Sequence, residues 1–297
     1  MIYIFRIRVE IDILISITSI LEFESDSNIV NIMVQRSNQT ESEQHFFDFA
    51  AEAGLTKHFG GLEATEELVE LCKIGEGSYV LDVGCGVGQT PCYLAKKHGY
   101  RVFGVDINER MIERSRERAE REGVADRTEF RVADAQGLPF EDDTFDAVIT
   151  ESVTVFPEDK QKAVTEYARV TKPGGYVGLN DATWLKVPPP PEIVAWASQD
   201  LGACVKPLTS DDWTGLLEEA GPTEIVVKVR EVKARREAKE LARRYGYVGM
   251  LRSIYRALSL YKRSPAYRRF VKELRKEGIM PDNLEEYLGY GVFVGRK

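Results

Sequence analysis

Three acidic residues recur at matching places in short apolar runs: Asp82 in VLDVG, Asp106 in RVFGVD and Asp134 in TEFRVAD. Directly after the first come Gly84, Gly86 and Gly88, in the stretch VLDVGCGVGQTP. Glycines at alternate positions leave the backbone without Cβ atoms where a strand turns sharply into a helix, so a ligand can touch the chain there. A dinucleotide-binding turn spaces its third glycine one residue further and offers bare N–H groups to a pyrophosphate. Gly-x-Gly-x-Gly does not match that spacing. A carboxylate beneath the turn, Asp82, would repel a pyrophosphate and suit a ligand with a cationic end, whose own carboxylate can meet N–H groups near the following helix. Asp106 is placed to accept both hydroxyls of a ribose, and Asp134 to face the amino group of an adenine. The plainer reading of Asp106 and Asp134 is that a turn acid caps the next helix.

The elements that would position these acids alternate regularly. The order is SYVLDVG strand, TPCYLAKKHG helix, RVFGVD strand, NERMIERSRERAEREG helix and TEFRVAD strand, then a loop with LPFEDDT. FDAVITE, a helix DKQKAVTEYARVT, a KPGG turn and YVGLND follow. Such βαβ alternation with short glycine-bearing turns predicts a doubly wound, mostly parallel α/β sheet whose ligands sit at the carboxyl ends of its strands. Two short helices broken at Gly60 and Gly61 are expected ahead of it. After PPPP come a helix EIVAWASQDLG and another, SDDWTGLLEEAG, with Ser210 as its expected N-cap and Gly221 as its stop.

Taken as a set, these stretches resemble the class I S-adenosylmethionine-dependent methyltransferases, in particular the group of quinone and small-molecule methyltransferases. VLDVGCGVG looks like their first motif, GVDINERMIERSRERA their second, ADAQGLPFEDDTFDAVI their adenine strand and loop, and EYARVTKPGG their late helix and turn. The resemblance covers roughly Ser78 to Val232. It implies a Rossmann-like fold, S-adenosylmethionine as cofactor, and a cofactor site of Asp82, Gly84, Gly86, Gly88, Asp106, Ile107, Asp134, Ala135 and Glu151. Members of the family close their sheet with an antiparallel hairpin, here TEIVVKVREV and YLGYGVFVGRK, so the long helical stretch between the two departs from the family pattern. The expected organisation is 1–32 as a non-native or disordered extension, 33–77 as an N-terminal helical lid, 78–232 as the cofactor-binding core, 233–284 as a basic helical insertion and 285–297 as the last strand.

A sulfonium makes its methyl group ready for in-line attack, so the protein chiefly positions the acceptor and excludes water. Should the acceptor need a base, the sequence offers Glu151, Asp181 and His58, with His45 and His98 weaker candidates. Each has a plainer reading: Glu151 at the cofactor or a water, Asp181 capping a loop, His58 packing among the first helices. Phe46, Phe47, Phe49 and Phe59 either fold over the cofactor as a lid or pack in the core. The expected acceptor is a small or lipophilic molecule. A nucleic-acid or protein methyltransferase, or a non-catalytic S-adenosylmethionine-binding protein, stand as alternatives.

Composition sets outer limits. The chain has 297 residues, 43% of them hydrophobic, enough for one substantial core. Cys72, Cys85, Cys92 and Cys204 lie without a C-x-x-C pair, which argues against a zinc site or a disulfide framework and for a reducing cytoplasm. The isoleucine-rich opening is interrupted by Arg6, Arg8, Glu10 and Asp12, leaving an uncharged piece far below the ~20 residues of a spanning helix. Its composition differs from the rest, and Met33 would be a natural start; a genuine extra edge strand is the alternative. The net charge of −8 hides a basic stretch from Lys228 to Lys276. There Tyr247, Met250 or Leu251, Ile254, Leu258 and Tyr261 are expected on one helical face, with Arg252, Arg256 and Arg263 away from it. Such a helix suits a peripheral contact with an anionic membrane, a phosphate-bearing substrate, or a simple helical cap; no aromatic RNA-binding motif accompanies it, so nucleic acid is not the favoured partner. The oligomeric state is left open.

Overall fold

The valine- and leucine-rich run YVLDV forms β1 (Tyr79–Val83), buried on both faces as a central parallel strand must be. The computed structural model describes residues 47–199, 205–276, 281 and 283–297. The readings of residues 1–32, of His45, Phe46 and Cys204, and of the lid before residue 47 lie outside them. β2 (Arg101–Asp106), β3 (Thr128–Val132), β4 (Phe145–Glu151), β5 (Thr171–Trp184), β6 (Leu208–Thr209), β7 (Thr223–Glu231) and β8 (Leu288–Arg296) complete a mixed sheet. Its order is β3-β2-β1-β4-β5-β8-β7, with β6 attached to β5. β1 to β5 run parallel, while β8 is antiparallel to both β5 and β7. The doubly wound reading therefore holds, and the last two strands form the antiparallel close.

Register sets the geometry of the site. Asp82 lies level with Gly104 of β2 and Ile149 of β4, and Glu151 lies level with Asn180 of β5. From β1 the chain winds toward β3 on one side and from β4 toward β5 on the other. The carboxyl ends of β1, β2 and β4 thus meet at the point where strand order reverses, and a crevice opens there.

Helices cover both faces. α1 (47–53), α2 (Gly61–Leu71), α3 (Gln89–His98) and α4 (Glu109–Glu122) bury Leu68, Val69, Leu94 and Ile112 against Val80, Val102 and Ile149, or lie beside them. On the opposite face α5 (Lys160–Val170), α6 (Pro191–Gln199) and α7 (Ser210–Glu219) pack Tyr167, Trp196 and Trp213 against Leu81, Val148 and Phe293. Each buried side chain of this size contributes about 1.5–3 kcal/mol. Two local expectations shift. The N-cap of α7 is Thr209, whose extended backbone lets its Oγ1 accept from the Asp212 N–H while the Asp212 carboxylate accepts in return; Ser210 is already helical. The KPGG turn is taken into β5, where pairing jumps from Phe145–Thr171 to Ala147–Tyr176 and the surplus residues bulge.

Between β7 and β8 lie α8 (Ala234–Arg263), α9 (Pro265–Lys276) and α10 (Leu284–Tyr287). α8 packs on α2 and α9, and Phe49 of α1 meets Tyr267 and Phe270 of α9 at ring separations of 4.9 and 5.0 Å. Gly246, with φ 63° and ψ 171°, breaks the helical path inside α8. The expected apolar face lies wholly after this break, and packing turns it by about one residue. Beyond the break the buried positions are Ser253, Ala257 and Leu260; Met250, Ile254, Leu258 and Tyr261 are half-buried, while Tyr247 is 92% and Leu251 67% exposed. Of the arginines expected to point away, Arg252 is exposed, Arg263 pairs with Glu52 at 2.8 Å, and the Arg256 guanidinium lies against Gly54.

Candidate active site

The glycine turn is built from residues that only glycine serves well. Gly84, Gly86 and Gly88 have φ values of 74°, 55° and 73°, in the left-handed region. A Cβ on Gly84 would collide with the side chain of Val153. The turn is pinned to the end of β2, for Gly84 N and Cys85 N donate to Val105 O at 2.7 and 2.9 Å. From α4, Ser115 Oγ donates to Gly86 O at 2.8 Å and Arg118 Nε to Val87 O at 2.8 Å. Below the turn, the Asp82 carboxyl is 2% exposed, and burial pushes its pKa well up, with the charge of Glu151 adding to the effect.

Asp106 ends β2, where its Oδ2 accepts from Gly86 N and its Oδ1 from Asn108 N, both at 2.9 Å. Burial raises its pKa and these N–H groups oppose the rise. The next residue, Ile107, is 71% exposed and presents an apolar side chain to the crevice. Asp134 and Ala135 stand after β3 on the same wall, and Asp134 Oδ1 accepts from Gln136 N at 2.9 Å. A cavity of about 360 Å³ joins all of these to Phe47, Phe59, Phe156, His58, Glu151 and Arg244.

The inner end of the cavity holds a buried polar cluster. Glu151, at the end of β4, accepts from Thr65 Oγ1 on Oε1 and from Thr90 Oγ1 on Oε2, each at 2.8 Å. Burial raises its pKa while the Arg244 charge pulls it back. His58 Nδ1 lies 3.4 Å from Glu151 Oε1, but burial first and the Arg244 charge second hold the imidazole pKa well below its ordinary value. The contact joins a carboxyl to a neutral ring, so it is no ion pair. Two tautomers serve the ring: Nδ1–H donates to Phe59 O at 3.1 Å, or Nε2–H donates to Thr65 Oγ1 at 3.3 Å and Nδ1 faces a protonated Glu151. Only in the second state, with Nδ1 unprotonated, can the Glu151 proton pass to the ring.

Asp181 is placed elsewhere. It is fully buried outside the cavity lining, and its Oδ2 and Oδ1 accept from Val155 N at 3.2 Å and Ala182 N at 3.0 Å. It supports the loop behind Glu151 and does not line this cavity, so the loop-capping reading is the one its geometry matches. His98 pairs with Glu66 at 3.1 Å and stacks on Tyr100, also away from the cavity. Gly88 caps α3 and packs on Ser115, one step behind the cavity wall. Sequence reading passed over Thr65, Thr90, Lys57 and Arg244. Thr90 had one signal, its place two residues after Gly88 at a helix start; Arg244 had none within a run of similar basic residues.

A family profile described as "Methyltransferase domain" matches residues 81–179, the span from β1 through the middle of β5. An uncharacterized protein of Haemophilus influenzae is 35% identical over 177 residues, covering 59% of this chain and 70% of its own length. The chain belongs to the class I S-adenosylmethionine-dependent methyltransferases. Two further methyltransferases agree: GfsG of Streptomyces halstedii, 39% identical over 41% of this chain, and the 27-O-demethylrifamycin SV methyltransferase of Amycolatopsis mediterranei, 35% identical over 53%. The chain spans 44% and 58% of the lengths of these two. Among solved structures, a S-adenosylmethionine-dependent methyltransferase of Geobacter sulfurreducens bound to S-adenosylhomocysteine superposes with a TM-score of 0.62 at 22% identity, covering 84% of this chain and 97% of that one. The [4+2]-cyclase SpnF superposes at 0.66 and 19% identity, covering 92% and 99%, which shows that this methyltransferase architecture is shared with a protein named for other chemistry.

The cofactor of this methyltransferase is S-adenosylmethionine. The crevice fits it by its own chemistry: a turn that no Cβ could enter, a strand-end carboxylate, an apolar shelf at Ile107 and Ala135, and an acid, Asp82, with a base, Arg244, for a zwitterionic arm. Among the described residues, no helix is long and apolar enough to cross a membrane.

Proposed function

We propose that this chain transfers the methyl group of S-adenosylmethionine to a small, largely apolar acceptor whose nucleophilic oxygen or nitrogen gives up its proton to the Glu151–His58 pair. The observation that carries the reading is that pair itself, buried at the inner end of a cavity whose other walls include Phe47, Phe59 and Phe156. When bound, the cofactor supplies an electrophilic methyl on a sulfonium for in-line displacement.

The protein's share is binding, orientation and proton management. Asp106 would accept the ribose hydroxyls, Ile107 and Ala135 would flank the adenine, Asp134 would meet its edge, and Gly84 and Gly86 with Asp82 would hold the amino-acid end. Phe47 and Phe59 exclude water from the acceptor side, with Phe47 edge-on to Phe156 at 5.5 Å. Insertion and N-terminal loop are locked together over the crevice: Tyr245 Oη accepts from Thr56 N and donates to Thr56 O at 2.8 and 2.7 Å, and Glu237 Oε1 accepts from Gly60 N at 2.9 Å. Small-molecule chemistry has support in the name of the rifamycin relative. Scattered free cysteines, buried at Cys72, Cys85 and Cys92, accord with a cytoplasmic setting.

A panel of phenols, alcohols and amines with isotopically labelled cofactor tests the proposal. Glu151→Gln should slow transfer about 100-fold at saturating cofactor, the usual range for a lost proton acceptor. An unchanged rate would remove the pair from the mechanism.

A second reading concerns delivery of a lipophilic acceptor. Tyr247, Val248, Leu251 and Tyr255 project from α8 with exposures of 92, 70, 67 and 72%, beside exposed Arg243 and Arg252. An apolar strip flanked by cations matches an anionic lipid surface.

A further inference from the structure

Arg244 reaches the inner cavity from α8, a helix of the insertion rather than of the sheet or its covering layers. Its carbonyl accepts from Gln89 Nε2 at 2.9 Å and its Nη2 donates to Thr90 Oγ1 at 3.1 Å, so both contacts fall on the first turn of α3. The other two guanidinium nitrogens, Nε and Nη1, are buried and have no hydrogen-bond partner among the described residues. A buried charged donor left unmet costs more than an ordinary hydrogen bond returns, so such a group in a ligand cavity points to an acceptor that arrives with the ligand. Nη2 carries a second N–H besides the one given to Thr90, and that hydrogen makes a planar fork with Nε or with Nη1, either of which matches a carboxylate with two parallel bonds.

Position narrows the choice of anion. The fork stands at the amino-terminal end of α3, immediately after the glycine turn, where the helix dipole also favours negative charge. Asp82 and Glu151 line the same part of the cavity, and Glu151 shares Thr90 Oγ1 with Arg244, accepting from it at 2.8 Å. One cation facing two acids is the complement of an amino acid's paired carboxylate and ammonium. We infer that Arg244 clamps the terminal carboxylate of the cofactor's amino-acid arm, so the helical insertion completes the cofactor site instead of merely covering it. This rests on the cofactor assignment above, and gives the departure from the family's hairpin a binding role.

Calorimetry with three ligands reads the proposal without turnover: S-adenosylhomocysteine, its descarboxy analogue, and 5′-methylthioadenosine, which lacks the amino-acid arm. The wild-type chain should bind S-adenosylhomocysteine at least tenfold more tightly than the descarboxy analogue. Arg244→Gln should erase that preference by weakening S-adenosylhomocysteine at least tenfold while leaving the other two within about twofold. Arg244→Lys keeps the charge in the cavity, guards against a folding defect in the first variant, and should retain only part of the preference. Equal weakening of all three ligands would mean that Arg244 only supports the fold, and an unchanged affinity for S-adenosylhomocysteine would assign its fork to another anion; either overturns the proposal. A wild-type chain that binds neither S-adenosylhomocysteine nor 5′-methylthioadenosine would instead overturn the cofactor assignment beneath it.

Discussion

Replacing Asp181 by asparagine should change how stability depends on pH, in a direction set by burial. The Asp181 carboxyl has no exposure, and burial pushes its pKa from 3.8 up to about 7 against the pull of backbone N–H groups at Ala182, Thr154 and Val155 and the charge of Lys160. A folded-state pKa raised above the unfolded value means that the native protein holds a proton which the unfolded chain releases. The resulting stabilisation is complete below about pH 4 and is lost as pH rises through about 7. A rise from 3.8 to about 7, at about 1.4 kcal/mol for each tenfold change in proton affinity, gives about 4 kcal/mol over that window. Asparagine keeps one acceptor oxygen for these backbone N–H donors, so the variant should be less stable than wild type by about 1–3 kcal/mol at pH 4. Its deficit should then shrink, and can invert, by pH 8. Urea unfolding of both proteins at half-unit steps from pH 4 to pH 8 measures the difference, in which the titrations common to both cancel. Parallel stability curves would refute the reasoning, showing that the backbone donors hold Asp181 ionised throughout.

Asp106→Ala should weaken S-adenosylhomocysteine binding by about 1.5–3 kcal/mol through loss of charge-assisted contacts, and calorimetric affinity equal to wild type would remove Asp106 from the site. Vesicles containing anionic lipid should sediment the protein, less so at high salt and less with neutral lipid, and the pair Leu251→Glu with Tyr255→Glu should abolish sedimentation while S-adenosylhomocysteine affinity stays intact; a wild-type chain that ignores anionic vesicles ends the membrane reading.

Much of the architecture was legible because its signals are local. The turn after Asp82 declares itself through alternate glycines that adopt left-handed backbone angles, and those angles follow from the absence of Cβ at three neighbouring positions. Strand and helix alternate with periods that neighbouring residues alone define, so the winding of the parallel sheet and the strand-end location of Asp82, Asp106 and Glu151 could be anticipated. What surrounds Glu151 could not. Thr65, Thr90, His58 and Arg244 come from α2, α3, the loop before α2 and the insertion, and they meet through packing between segments far apart in the chain. The same limit applies to Asp181, whose place on β5 looked equivalent to a cavity acid. Alternation along the strand and the path of the loop through Val155 turn its carboxyl toward backbone donors instead. Within α8, the helix packs through Ser253, Ala257 and Leu260, one position off the face expected from spacing, because the neighbouring elements rather than the helix set which stripe is covered, and Tyr247 and Leu251 stand in solvent. Local chemistry determined where a ligand could bind; long-range packing decided which side chains would be there to meet it.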